Sequence, residues 1–252
     1  MSDIRIETDG PVLAITFTRP DRRNAITVAM YAAMADAIEG AAGNDAIRLI
    51  TIRGEGQDFT AGNDLHDFLT ALPRISDDIP VWRLLRALAR NTVPIVASVQ
   101  GNAVGIGTTL LLHCDLVVAE EDAQFLLPFV DLGLVPEAAS TLILPELAGR
   151  RRAARYLLLG DAFGAAEALD IGLVSHVAAP GKREATFQKI VDRLLAKPPQ
   201  ALRLTQQLLR EGTADAVLER MEVEGDHFSE RLQSDEVKAA IAAFFAAKAK
   251  GA

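Results

Sequence analysis

Alternating and continuous apolar positions divide the chain into a first part rich in short strands and a last part that reads as helix. Residues 4–7 and 12–18 are predicted as two strands joined by the turn Thr8-Asp9-Gly10-Pro11. In the second, Leu13, Ile15 and Phe17 alternate with Val12, Ala14 and Thr16, which suits a sheet partly covered on both faces. Thr27 is placed to cap a helix running to about residue 42, with Met30, Met34 and Ile38 on one face and Gly43-Asn44 closing it. Residues 47–53 form a further apolar strand, turned by Gly54-Glu55-Gly56. Val81, Leu84, Leu85 and Leu88 mark an amphipathic helix over 79–90, and Pro94 introduces another strand.

The stretch from Val96 to Asp115 anchors the rest. It begins as an uninterrupted apolar strand, continues through a turn carrying Gly101, Gly105 and Gly107, and opens a short helix over about 107–113. A strand that ends in glycines and opens a helix aims backbone N–H groups at whatever sits there, a place for an anion or for a carbonyl about to become one. The glycine spacing matches neither a dinucleotide fingerprint nor a phosphate loop, and on spacing alone tight helix–strand packing explains it equally well. The segment Phe59-Thr60-Ala61-Gly62-Asn63-Asp64-Leu65 repeats the logic: strand, glycine-bearing turn, helical start.

Strands are then expected at 116–119, 123–127 and 173–177, and helices at 137–148, 151–159 and 164–170, an α/β pattern. Beyond Gly181 come helices over 184–196, 199–210, 214–230 and 235–247, punctuated by Lys197-Pro198-Pro199. The apolar face of Val237, Ile241, Phe244 and Phe245 fits either a cap on the chain's own core or a contact between subunits.

Composition narrows the function. Half of the 252 residues are hydrophobic, enough for a sizeable core without disulfides or metals. The single cysteine, Cys114, lies in an apolar stretch and is expected to be a packed thiol; with no signal peptide, a cytoplasmic location is expected. No apolar run reaches the ~18–20 residues needed to span a bilayer. A net charge of −8 argues against nucleic acid as a partner. His66, His113, His176 and His227 show neither metal-ligand spacing nor a nucleophile arrangement.

Taken in order, Arg19-Pro20 to Asn24-Ala25, the 59–65 loop, the Gly101-to-Asp115 anchor, Ala123-Gln124-Phe125, Pro128 to Gly133, and Leu159-Gly160 to Gly172-Leu173-Val174 resemble the crotonase superfamily of enoyl-CoA hydratases and isomerases. The resemblance covers nearly the whole chain. It implies the α/β crotonase (ClpP-like) fold, a spiral of β-β-α turns followed by helices that build trimers, often paired into hexamers. Residues 1–196 would be the core with the acyl-CoA site and 197–252 the oligomerisation region. It also implies an acyl-CoA thioester as substrate, no cofactor beyond the CoA of that substrate, no metal, and an enolate held by two backbone N–H groups. Aligning the loops assigns these to Ala61 and Ile106, where the Ile106 side chain narrows the pocket. Arg22, Asn24, Ala25, Gly62, Asn63, Asp64, Leu65, Gly105 and Phe129 become candidates for contact with CoA or substrate. Arg22 and Arg23 suit phosphates, or are simply solvated. Phe68, Leu69 and Leu72 are expected with Phe129 along an acyl tunnel.

The departures from the family pattern say more. Hydratases of the superfamily hold water with two glutamates, and here those positions are Thr109 and Phe129, so ordinary hydration is not expected. One acid stays well placed: Glu137, in Leu132-Gly133-Leu134-Val135-Pro136-Glu137, expected to open a helix. With Ala61 to Leu65, this pattern resembles the peroxisomal-type Δ3,Δ2-enoyl-CoA isomerases, in which the glutamate at this position moves the proton. Moving a double bond from C3–C4 to C2–C3 needs one base to take a proton at C2 and return it at C4. Glu137 is also the sort of residue a helix N-terminus favours without any chemistry, and Asp131 is a rival base. Another acyl-CoA activity, hydratase-like included, and an acyl-CoA-binding homologue without catalysis are the alternatives.

Overall fold

The computed structural model describes residues 3–65, 67 and 79–250. Strands β1 (Ile4–Asp9) and β2 (Val12–Phe17) form an antiparallel hairpin in which Ile4 faces Phe17. Every later pairing in that sheet is parallel: β2 with β3 (Leu49–Gly54), β3 with β4 (Ile95–Val99), β4 with β6 (Leu116–Glu120), and β6 with β9 (His176–Ala178). Parallel neighbours need crossovers. The first two use α1 (Val28–Ala42) and α2 (Pro80–Arg90). As in parallel sheets covered on both faces, all five residues of β4 are buried, which is why that stretch reads as one apolar run.

A second, smaller sheet carries β5 (Asn102–Val104), β7 (Gln124–Leu126) and β8 (Phe163–Gly164). The chain steps from the large sheet to the small one twice, from β4 to β5 and from β6 to β7, and the arriving strands pair in parallel. Gly101 makes the first step at φ +54°, pressed so close to the Gln57 carbonyl that no Cβ fits. These repeated steps wind the strands into a spiral, and the two glycine loops lie where it turns.

Thr27 caps α1 as its sequence suggests, its hydroxyl accepting the Met30 N–H at 3.3 Å. The helix after β5 begins at Ile106, as α3 (Ile106–Thr109), and tightens into a 3-10 turn, Leu110–His113. Next come α4 (Ser140–Ala148), α5 (Arg150–Leu158) and α6 (Ala165–Asp170). Then follow α7 (Arg183–Leu195), α8 (Pro199–Glu211), α9 (Ala214–Leu232) and α10 (Asp235–Lys250). The helix expected from residue 137 starts only at Ser140, because Ala138 and Ala139 both take left-handed backbone angles. That difference decides the geometry of the site.

One face of the large sheet is covered by α7, through Phe187, Ile190 and Val191 against Leu49, Val96 and Val118. Burying side chains of this kind contributes roughly 1.5–3 kcal/mol each. The other face meets the main core, to which α9 and α10 contribute Met221, Phe228, Val237 and Ile241. There Trp82 and Phe228 meet edge to face, with ring centroids 5.8 Å apart. Among the described residues no helix is long and apolar enough to cross a membrane. His66, Phe68, Leu69, Leu72 and the side chains of Phe244 and Phe245 lie outside the described residues.

Candidate active site

The two glycine loops run side by side. Phe59 N–H donates to the Gln100 carbonyl at 2.8 Å, and Thr60 exchanges backbone bonds with Asn102 and Val104. Gly62, at φ +83°, passes so near Val104 that a Cβ would lie 2.7 Å from its carbonyl oxygen. This close approach fixes which amides stay available. Ala61 N–H donates to the Arg23 carbonyl at 2.8 Å, Gly62 N–H to the Thr60 hydroxyl at 3.1 Å, and Asp64 N–H to the Ile26 carbonyl at 2.9 Å. Ala61 is therefore not a free donor, and the expectation that it serves an enolate is corrected: its amide is consumed by the neighbouring loop. Asn63 is left, its N–H making no hydrogen bond among the described residues.

On the second loop Gly105 N–H donates to Leu126, and the Gly105 carbonyl accepts the Thr108 and Thr109 amides. Ile106, buried at the first position of α3, has no acceptor for its N–H inside the helix, so the donor assigned to it is present.

The acid lies on the turn that precedes α4. Glu137 is 1% exposed, and its Oε1 has no hydrogen-bond partner among the described residues. Burial pushes its pKa up to about 8, with the charge of Glu224 adding to the rise and the Thr109 hydroxyl opposing it. That hydroxyl effect is the smallest of the three, and by distance and angle neither Glu137 Oε1 nor Thr109 Oγ1 has a hydrogen-bond partner among the described residues. Ala138 (φ 62°) and Ala139 (φ 56°) follow immediately. Two side chains hold this left-handed turn. His113 Nε2 lies 2.9 Å from the Ala138 carbonyl; since a carbonyl only accepts, Nε2 carries the proton. Burial lowers the His113 pKa to about 4, so the ring is neutral. Glu224, on α9, accepts the Ala139 N–H at 2.7 Å and the Thr141 N–H at 2.9 Å.

Tyr31 closes the site from α1. It is buried, burial and the charge of Glu137 both hold its phenol well above the usual range, and its hydroxyl hydrogen-bonds the Asn63 side-chain oxygen. Tyr31 thus meets Asn63 through its hydroxyl and lies near enough to Glu137 to feel its charge, while Thr109, three residues beyond Ile106, acts on Glu137 from the second loop. Tyr31 and Glu224 were not singled out from the sequence, yet both leave a signal. Tyr31 shares the apolar stripe of Met34, Ala35 and Ile38, and Glu224 interrupts the stripe of Met221 and Phe228. A polar group on a buried stripe needs a reason.

The other candidates separate. Asn24 is fully buried, and its side chain accepts from Arg19 N–H and donates to the Glu55 and Asp58 carbonyls, so the expected CoA contact is corrected to a knot that ties the loop. Asp64 accepts from Arg19 at 3.1 Å and from the Asp67 N–H at 3.4 Å. Arg22 and Arg23 are exposed beside half-buried Ala25 and Leu65. Gly62 and Phe129 are buried, and Gly105 is half-buried. Asp131 is exposed on the 3-10 turn Val130–Leu132, against Gly160, and lacks the dry surroundings that make Glu137 basic. Among the described residues no three His, Cys, Asp or Glu side chains cluster to hold a metal ion.

Comparison with known proteins places this arrangement. The family profile "Enoyl-CoA hydratase/isomerase" matches residues 7–250. The chain is 30% identical over 252 residues to the 1,2-epoxyphenylacetyl-CoA isomerase of Escherichia coli K12, covering 98% of this chain and 96% of that one. It is 32% identical to enoyl-CoA delta isomerase 2 of Rattus norvegicus, covering 98% of this chain and 64% of the longer rat protein. A solved enoyl-CoA hydratase/isomerase from Pseudoalteromonas atlantica T6c superposes with a TM-score of 0.91 at 38% identity, covering 97% of each chain. The spiral of strands, the paired glycine loops and the match along nearly the full length lead to one conclusion: the chain belongs to the enoyl-CoA hydratase/isomerase family, the crotonase superfamily.

Proposed function

We propose that this enzyme moves the double bond of a 3-enoyl-CoA to the 2-position, with Glu137 as the only acid–base group. The observation that carries the reading is a carboxyl that is buried, without a partner on Oε1 and raised to about 8, beside two loops that each offer an unpaired amide. The thioester oxygen sits between the Asn63 and Ile106 N–H groups. Ionised Glu137 takes a proton from C2, the electron pair spreads over the dienolate to the thioester oxygen, and the same carboxyl returns the proton at C4 as the C2–C3 double bond forms. No atom is gained or lost, and no cofactor beyond the substrate's own CoA takes part. Each preset donor in such a dry site is worth on the order of 2.7–4 kcal/mol in the transition state. With Thr109 unable to act as a carboxylate and Phe129 apolar, neither position supplies a second acid to activate water. Arg22 and Arg23, both exposed, are the residues proposed to meet the CoA phosphates.

The protein acts in the cytoplasm as a trimer or a pair of trimers. Exposed Leu204, Leu208 and Leu209 on α8, with Leu158 and Leu159 at the end of α5, supply apolar surface for that assembly. Light scattering coupled to size exclusion checks it; a monomer at micromolar concentration would refute it.

The deciding experiment follows conversion of 3-hexenoyl-CoA to the 2-enoyl ester by wild type and Glu137→Gln. Loss of the base should lower kcat by roughly 10²–10⁴-fold. In wild type, kcat/KM should climb with pH and level off above about 8, as Glu137 ionises. Full activity of the variant would remove Glu137 from the chemistry. Hydration of crotonyl-CoA at a comparable rate would favour a hydratase, and tight ester binding without turnover a binding protein.

A further inference from the structure

The surroundings of Glu137 support a step beyond that mechanism, resting on it for the identity of the base. Glu224 is 5% exposed, on a helix face otherwise occupied by Met221, Gly225 and Phe228, where an ionisable side chain is costly to bury. Both its oxygens are used: Oε2 accepts the Ala139 N–H at 2.7 Å, while Oε1 accepts the Thr141 N–H at 2.9 Å and the Thr141 hydroxyl at 2.5 Å. These donors stand just after Glu137, at the start of α4, where amides are unpaired and negative charge is favoured. Ala139 occupies the capping position and has no oxygen to fill the role. Left-handed geometry costs an L-residue about 1–2 kcal/mol, so two such alanines in succession need an outside hold.

We propose that Glu224 is a positioning residue for the base: by gripping Ala139 and Thr141 it fixes where the Glu137 carboxyl points. A carboxylate held at that turn also disfavours the charged form of Glu137.

The charged and titratable neighbours are few. Arg220, exposed one turn earlier on α9, partly offsets the Glu224 charge and lies 3.5 Å from the Thr141 hydroxyl. Glu137 faces Tyr31 from α1, and the neutral His113 holds the Ala138 carbonyl. Of the other elements packed on α9, α2 presents Arg86 paired with Glu222, α10 presents Glu236 paired with Arg231, and Arg210 of α8 reaches the His113 carbonyl and Asp115. Burial is the largest cause of the rise in Glu137, and the Glu224 charge adds to it; burial also raises the pKa of Glu224 itself, against the Thr141 and Ala139 hydrogen bonds that favour its charged form.

Two conservative variants separate the roles. Glu224→Gln keeps size and an acceptor and removes the charge; Glu224→Asp keeps the charge and withdraws the grip. In Glu224→Gln the acidic limb of kcat/KM should move to lower pH by about half a unit or more. In Glu224→Asp the limb should stay while kcat falls by about tenfold, as expected for a displaced general base. Difference infrared spectroscopy follows Glu137 protonation without turnover, its band identified by loss in Glu137→Gln. The same downward shift should appear there in Glu224→Gln. If folded Glu224→Gln leaves both the limb and the infrared titration unchanged, the proposal is overturned. If Glu224→Gln does not fold, Glu224→Asp decides: wild-type kcat overturns the positioning role, and reduced kcat with an unmoved Glu137 titration supports it. Wild type without isomerase turnover would sink the catalytic reading alone, and the infrared shift would still decide for or against Glu224.

Discussion

Two turns beside the site share the same unusual backbone. Arg23 and Asn24 take φ values of 50° and 55°, and Ala138 and Ala139 take 62° and 56°; among the described residues no other non-glycine has positive φ. The first turn supplies its own polar side chain. Asn24 tolerates the left-handed region and spends its side chain on Arg19, Glu55 and Asp58, while the Arg23 and Asn24 carbonyls accept from Ala61 and Thr60. The second turn contributes no polar side chain of its own and is held from outside by His113 and Glu224. Beside it Glu137 Oε1 and Thr109 Oγ1 stay unpaired. One turn is tied down through its own Asn24 side chain; the other leaves Glu137 Oε1 and Thr109 Oγ1 unmatched beside it in a dry core, where a carboxyl becomes basic.

The pH dependence of stability should break the comparison most visibly. Glu137 has its folded pKa raised from 4.5 to about 8, so its contribution is fully present below pH 4.5, declines as pH rises, and is lost above about 8. At ~1.4 kcal/mol per pKa unit the loss is on the order of a few kcal/mol. Urea unfolding of wild type and Glu137→Gln should therefore diverge between pH 5 and 9, the variant becoming relatively more stable at high pH. Parallel curves would mean that Glu137 is not desolvated.

Asn24→Gly keeps the backbone freedom of the first turn and removes its side chain. It should cost about 2–4 kcal/mol in unfolding free energy, because buried carbonyls lose their donors. A cost below 1 kcal/mol would mean the turn needs only its φ values. Ala139→Gly tests the opposite dependence. Relief of the left-handed strain should outweigh the entropy of glycine and stabilise by about 0.5–1 kcal/mol. Loss of stability there would show that the turn is not strained. Smallest of all, Thr109→Val deletes a buried hydroxyl without a partner and should leave the melting temperature unchanged or raise it by a gain of about 0.5 kcal/mol.

Much of the architecture was legible in the chain because the signals are local. Alternation in 12–17, the Thr27 cap, the buried run of β4 and the glycine turns each depend on neighbours a few residues away. Glu137 was legible as the surviving acid of a family pattern. Its setting was not: the expected helix from 137 assumed that Ala138 and Ala139 follow helical propensity, and tertiary contacts from His113 and Glu224 overrode it. The swap from Ala61 to Asn63 has a similar cause. Adjacent amides in one loop differ only in which is consumed by another segment, and Arg23 lies 38 positions from Ala61.

The amino-acid sequence by itself determined most of the strand and helix inventory, the family, and that Glu137 is an acid while Thr109 and Phe129 are not. Periodicity, turn chemistry and ordered motifs are properties of the chain read along its length. Only the tertiary structure decided which amides stay free, that Asn24 ties a loop, and that Glu224, 87 positions from Glu137, holds the turn on which the acid stands. Hydrogen-bond consumption and desolvation depend on segments far apart in the chain, and both exist only once those segments meet.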